Sequence, residues 1–296
     1  VSPASAQRDP SRLERGVRYL ETLGYRVELG RHALTQRAYL AGTDDERLQD
    51  LHEMFADRRI DAVFCARGGY GSARLLDRID YTMIKRSRKV FVGFSDITAL
   101  QLALLRRASF VTFSGALPSV DMADGFDRES EASFWRAITS TKALGVITQS
   151  APLRAHKRGR TTGMLMGGNL SIVASLCGTK YMPPTSDAIL VLEDIGEESY
   201  SIDRLLTQLR LSGVLTDARG VAFGRFTADE SRTASTPARP VSDILAEFST
   251  HVQGPVLSNL LYGHESKKLT LPFGVRASLV VGADCTLKLS EAACAE

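Results

Sequence analysis

Two short apolar runs in the first half of the chain each end on a turn and restart as a helical pattern. No other feature constrains the fold as much. Ala62-Val63-Phe64-Cys65-Ala66 runs into Arg67-Gly68-Gly69-Tyr70-Gly71 and then into a helix around Leu75 and Leu76. Lys89 to Phe94 stops at Ser95-Asp96, after which Ile97, Leu100 and Leu104 begin a new helical face. Phe110 to Phe113 is a further run. Strand, turn and helix in this repetition predict a parallel sheet with helices on both faces. Upstream, Asp9-Pro10 reads as an N-cap followed by proline at the first helical position. Leu13, Val17 and Leu20 then share a face, and Gly24 closes that helix. Tyr25, Val27 and Leu29 alternate as in a half-buried strand. Thr43 and Glu46 form a capping box that opens a second helix through Leu48, Leu51 and Phe55.

The rhythm does not continue to the end. With 296 residues, and about 150 residues to a domain, two domains are expected. Residues 140–162 are polar and basic, with Lys157-Arg158-Gly159-Arg160 at their centre. They read as an interdomain crossover. No aromatic residues interleave that basic cluster as nucleic-acid binding would require. The expected division is an α/β domain over residues 1–145, a linker over 146–162, and a β-rich second domain over 163–296. The second part holds Met164-Leu165-Met166, a helix from Asn169, a strand at Ile189 to Leu192 and a helix at Ile202 to Leu211. Further strands are expected near Val221, Val256, Leu269 to Leu271 and Thr286 to Leu289, and a polar loop from Ala228 to Pro240. Apolar residues make up 44% and charged residues 24% of the chain, which excludes a disordered chain, collagen and a disulfide scaffold. A net charge of +3, spread along the chain, argues for neither nucleic acid nor a membrane surface as partner.

Cys65, Cys177, Cys285 and Cys294 lie far apart. They have no metal-binding spacing, and Cys65 and Cys177 sit in apolar segments as reduced core residues. No signal-peptide pattern is present, no apolar run reaches the ~18 residues of a membrane span, and no cofactor motif appears. A cytoplasmic location is expected. Val1 is not a methionine, so a few residues are expected to precede it.

Ligand sites in parallel α/β sheets form beyond the carboxyl ends of the strands. Two such ends carry candidates. Glycines in Arg67-Gly68-Gly69-Tyr70-Gly71 let the backbone approach a ligand. The run is neither a Walker A loop nor a GxGxxG fingerprint, so phosphate binding, an oxyanion-binding turn and a simple tight turn all remain open. Ser95 stands at a strand-to-helix corner, as in a nucleophile elbow, although Ile97 replaces the second glycine of GxSxG. An ordinary N-cap serine gives the same pattern. A serine nucleophile needs a base and a group that orients it. Among five histidines, His32, His52, His156 and His251 lie in polar segments or before a turn. His264 follows the apolar stretch from Val256 to Leu261. Glu193 terminates the run Ile189-Leu190-Val191-Leu192 and so sits on a rigid strand end. Asp194, Glu197 and Glu198 follow it as a solvated acidic loop would. No histidine-rich spacing accompanies them, which argues against a metal site.

Together these segments resemble the LD-carboxypeptidase (muramoyltetrapeptide carboxypeptidase) family of serine peptidases. The resemblance is carried in family order by Ala66-Arg67-Gly68-Gly69-Tyr70-Gly71, Gly93-Phe94-Ser95-Asp96-Ile97-Thr98-Ala99 and Gly167-Gly168-Asn169-Leu170. It continues through Leu192-Glu193-Asp194-Ile195-Gly196-Glu197 with Asp203-Arg204, and Gly263-His264 with Leu269-Thr270-Leu271-Pro272. Val1-Ser2-Pro3 matches only the tail of the strand and Ser-Pro turn with which family members open. The resemblance implies a Rossmann-like N-terminal α/β domain, a barrel-like β-rich C-terminal domain with helices, and a metal-independent Ser-His-Glu triad between them. By residue match, Ser95 is the nucleophile, His264 the base and Glu193 its partner. The oxyanion hole uses the N–H of Asp96 and one from Gly68 or Gly69. Arg67, Asn169 and Arg204 match recurring positions with substrate-binding or packing roles. The implied substrate is a murein tetrapeptide losing its terminal D-Ala, and a homodimer is compatible with the match. Two other readings stay open: a relative that cleaves a peptide-nucleotide antibiotic, and a module that binds an anion at Gly68-Gly69 without chemistry. An extended aromatic platform would favour the first, and none is legible, since the single tryptophan, Trp135, falls in a helix.

Overall fold

The first two helices begin where their capping residues dictate. In the computed structural model, which describes residues 1–227 and 239–295, Asp9 accepts the Ser11 N–H and opens α1 (Pro10–Thr22). Thr43 and Glu46 complete a reciprocal capping box at the start of α2 (Asp44–Ala56). The chain then runs β1 (Ala62–Phe64), α3 (Tyr81–Ser87), β2 (Val90–Gly93), α4 (Thr98–Ala108), β3 (Thr112–Ser114) and α5 (Arg128–Thr139). The second half follows as β4 (Gly145–Val146), β5 (Arg154–Lys157), β6 (Gly159–Asn169), α6 (Leu170–Ser175), β7 (Ala188–Ile195), α7 (Ser199–Leu211) and β8 (Gly220–Thr227). It closes with α8 (Val241–Ser249), β9 (Val256–Ser258), β10 (Leu271–Phe273), β11 (Arg276–Val281) and β12 (Thr286–Leu289). Except for Arg239 and Pro240, the loop expected from Ala228 to Pro240 lies outside the described residues.

Two sheets organise these elements. The first has the order β1-β2-β3-β10. Its first three strands are parallel, and β10 arrives from the far end of the chain to pair antiparallel with β3. The second has the order β4-β12-β11-β6-β7-β8-β9-β5, with a parallel centre from β6 to β9. The segment expected as a bare crossover supplies β4 and β5, the two ends of that order. The fold is therefore mixed α/β, with a parallel sheet in the N-terminal region and a second, larger sheet. No helix among the described residues is long and apolar enough to cross a membrane.

Helix α4 joins the halves. Leu100 and Leu104 mark one face, yet Leu102, Ala103 and Leu105 on other faces are buried as well. A helix apolar all round is one enclosed on all sides. It packs on β3 and also on β6 and α6. Each fully buried leucine contributes about 1.5–3 kcal/mol, so the element that starts at the serine corner is also a large part of the shared core.

Two expectations fail. Tyr25, Val27 and Leu29 form no strand. They line an apolar cavity of about 550 Å³ together with Leu13, Val63, Phe64 and Trp135. Edge strand β1 borders the same cavity, so no ladder partner reaches them. The helix expected around Leu75 and Leu76 is a single 3₁₀ turn over Ser72–Leu75. The full helix, α3, begins later, where Asp80 caps the Met83 N–H. Among the cysteines, Cys65 is buried as expected, while Cys177 is only partly so.

Candidate active site

The residues singled out at the strand ends converge. Strand β2 ends at Gly93, and Ser95 follows with φ 63°, a left-handed conformation that costs a non-glycine residue about 1 kcal/mol or more. The strain places Ser95 at the tip of a sharp corner, with α4 beginning three residues later. From the other sheet, β7 carries Glu193, which is fully buried. The loop after β9 supplies His264, 17% exposed. The Nε2 of His264 lies 2.9 Å from the Ser95 hydroxyl and its Nδ1 lies 2.7 Å from Oε2 of Glu193. With Nδ1–H donating to the carboxylate, Nε2 accepts the serine O–H. One line of hydrogen bonds thus runs from a buried acid through an imidazole to a strained serine. The distance that would have favoured anion binding without chemistry, a serine and histidine too far apart to meet, is not found.

The imidazole is held from its faces and its root. Its ring stands 4.8 Å from that of Phe94. Phe94 in turn carries the Lys268 ammonium at 4.7 Å on its ring. Lys268 is itself buried and paired with Asp121 at 2.9 Å. Tyr262, two residues before the histidine, is fully buried and its hydroxyl meets that of Ser114 at 2.6 Å. Burial, and then the Glu193 charge, push its phenol well above the ordinary tyrosine range. It acts as a neutral hydrogen-bonding anchor between the two halves.

Asn169 has a clear place. Its side-chain oxygen caps α6 through the Ile172 N–H, which turns its amide nitrogen outward. That nitrogen donates to Asp194 at 2.8 Å and to Oε1 of Glu193 at 3.4 Å. The carboxylate of Glu193 is therefore held through both oxygens. The backbone of Asn169 is fixed as well, since its N–H donates to Thr98 on α4 at 3.1 Å. Asp194 is not part of a solvated loop. It is buried, and desolvation raises its pKa against the lowering effect of its hydrogen bonds, with the Glu193 charge adding to the rise. Asn169→Ala leaves Glu193 free to shift. A misplacement of about 1 Å costs on the order of 10²-fold in rate, so steady-state kinetics should show a fall in kcat of that order with little change in KM.

The glycine turn lies directly against the serine. A Cβ on Gly68 would stand 2.8 Å from that of Ser95, so a side chain there has no room. Asp96 ties the turn to the corner. Its carboxylate accepts the N–H groups of Gly71 and Ser72, at 3.3 and 2.9 Å, and the Ser72 hydroxyl donates to its carbonyl at 2.7 Å. The N–H of Asp96 lies in the 3₁₀ turn Ser95–Ile97 that leads into α4, where no earlier carbonyl of the turn takes it. Arg67 sits half-buried beside Gly68, and Nη1 donates to the Ala6 carbonyl at 2.9 Å. Arg204 is elsewhere: it is exposed on α7, bonds Ser201 at 3.0 Å and lies 5.8 Å over the Tyr200 ring.

Three features escaped the sequence reading. The side chain of Asp96 and the anchor Tyr262 sat inside motifs chosen for other residues. Tyr39 and Tyr70, both exposed, meet edge to face at 5.5 Å beside the glycine turn. They form an exposed aromatic pair at the turn that no single tryptophan would have signalled.

Comparison with known proteins agrees along the chain. The family model described as the LD-carboxypeptidase N-terminal domain matches residues 1–115. The model described as the LD-carboxypeptidase C-terminal domain matches residues 162–279. The probable murein peptide carboxypeptidase of Bacillus subtilis (strain 168) is 37% identical over 282 residues, covering 94% of this chain and 87% of that protein. The microcin C7 self-immunity protein MccF of Escherichia coli is 27% identical over 297 residues, with 91% and 85% covered. The crystal structure of muramoyltetrapeptide carboxypeptidase from Oxalobacter formigenes matches with a TM-score of 0.87 at 30% identity, covering 98% of both chains.

Proposed function

The chain belongs to the LD-carboxypeptidase family, and on that premise we propose that it releases the terminal D-Ala of murein tetrapeptides in the cytoplasm, by serine catalysis without a metal. The observation that supports this most directly is the unbroken contact from Glu193 through His264 to Ser95. His264 takes the proton of Ser95 as its oxygen attacks the carbonyl of the L,D-peptide bond between meso-diaminopimelate and D-Ala. Glu193 keeps the imidazole in the reacting tautomer and balances its charge once it is protonated. The tetrahedral oxygen sits on the Asp96 N–H and one N–H of the Gly68-Gly69 turn. His264 returns the proton to the leaving amine, D-Ala departs, and water repeats the sequence on the acyl-enzyme to free the tripeptide.

Incubating the purified protein with a defined tetrapeptide tests this. Free D-Ala and tripeptide should appear in equal amounts, at a rate that EDTA does not change. A second reading draws on the Tyr39–Tyr70 pair, which offers a stacking surface for a nucleobase, and on the likeness to the self-immunity protein. Parallel assay of a peptide-nucleotide substrate separates the two. Turnover of that substrate with no D-Ala release from the tetrapeptide would replace the first reading by the second.

A further inference from the structure

An exopeptidase must recognise a free carboxylate beside the scissile bond, and the candidate cations differ in whether they are available for this. Lys268 is buried against Asp121. Arg225 faces Glu265 at 3.5 Å. Arg204 lies on α7 with Ser201. Arg12 is paired with Asp124 and also donates to the carbonyls of Ser119 and Val120.

Arg67 is different. It makes no ion pair with any described residue, and its one hydrogen bond, from Nη1 to the Ala6 carbonyl, leaves Nε and Nη2 uncommitted. The charges acting on it are those of Arg8 and Arg12, and burial together with them depresses its pKa. A half-buried guanidinium among like charges is an unfavourable arrangement in a free protein, and an anion relieves it. Its chain neighbour Gly68 lies against Ser95, so Arg67 directly precedes the proposed oxyanion turn. The planar fork suits a carboxylate, which it can hold through two parallel hydrogen bonds.

We propose that Arg67 forms the subsite for the α-carboxylate of the peptide's terminal residue. The inference rests on the carboxypeptidase reading above. It assigns the preference for a chain end to one side chain, while the triad itself acts on any bond presented to it.

The test compares a tetrapeptide ending in a free carboxylate with the same peptide ending in an amide, on wild-type protein, Arg67→Met and Arg67→Lys. A small neutral fluorophosphonate reports separately whether Ser95 is still activated. Wild-type protein should prefer the acid by about 10²-fold or more in kcat/KM, the scale at which a lost charged partner discriminates. In Arg67→Met that preference should vanish, the acid falling about 10²-fold further than the amide, mostly through KM. Arg67→Lys should keep part of it, and both variants should still be labelled at Ser95. An intact preference for the acid in Arg67→Met overturns the subsite and leaves the catalytic reading standing. Loss of labelling along with turnover of both peptides also overturns it, by showing that Arg67 only shapes the turn. A wild-type protein inert toward both peptides overturns the reading and the subsite together.

Discussion

Ser95→Ala should fold like the wild-type protein and release D-Ala from a tetrapeptide slower by on the order of 10³-fold or more. The two halves of that expectation have separate physical grounds. Folding does not depend on the hydroxyl. Ser95 is partly exposed, and its oxygen makes one hydrogen bond, with His264. The left-handed backbone at φ 63° burdens alanine as it burdens serine, because the Cβ is the same in both, so the strain cancels in the comparison. In the proposed mechanism catalysis does depend on the hydroxyl, because it forms the acyl bond. What survives is the contribution of binding and of the backbone N–H groups. Circular dichroism and a melting curve check the first half, and D-Ala release checks the second. Near-normal turnover by Ser95→Ala would remove the nucleophile from the mechanism.

Gly167→Ala should be the costliest small change in the second sheet. A Cβ there would lie 1.9 Å from the Val191 carbonyl oxygen and 2.8 Å from the Val191 nitrogen. Gly167 pairs with Val191 in the parallel ladder of β6 and β7, and its φ of 141° turns the missing side chain toward that neighbouring backbone. Val191 is fully buried, so the strand has nowhere to retreat. A destabilisation of about 3 kcal/mol or more is expected, read as a fall in melting temperature of about 6–12 °C. Activity should fall further than stability alone explains, since Asn169 and Glu193 pair two residues along the same ladder. Gly178→Ala is the control: it also has positive φ, at 79°, but no atom within 4 Å of the new Cβ. It should cost only about 1 kcal/mol. Equal melting temperatures for the two variants would show that the close approach of β6 to β7 carries no weight.

The elements that could be read directly from the chain are those with local causes. Asp9 with Pro10, and Thr43 with Glu46, are capping patterns complete within four residues, and both helices start as written. The strands entering Arg67 and Ser95 are short apolar runs with abrupt ends, and β7 is another. The failures share one property. Tyr25 to Leu29 has the alternation of a strand, but a strand exists only where a partner lies beside it, and here a cavity does. Strand β10 was legible as apolar, yet nothing local says that it joins the sheet of the other half. Asp194 looked like loop because its neighbours are charged. Its burial is decided by Asn169 and the Ser171 N–H, which come from a different strand end and the helix after it.

The site divides in the same way. Residue type and position made Ser95, Glu193 and His264 candidates, with an N-cap serine, a loop histidine and a solvated acid equally legible; it was the resemblance across ordered segments that gave them their roles. Their meeting was not local information. Ser95 and His264 are 169 residues apart and Glu193 and His264 are 71 apart. They come together because α4 is buried on all sides between two sheets, and because Tyr262 and Asn169 bridge to Ser114 and Thr98. The strand-turn-helix rhythm by itself determined a parallel sheet with its functional residues at the carboxyl ends, since backbone geometry and burial pattern act over a few residues. The tertiary structure alone decided which strand ends face each other and which acid is buried, because these depend on packing between segments that are distant in the chain.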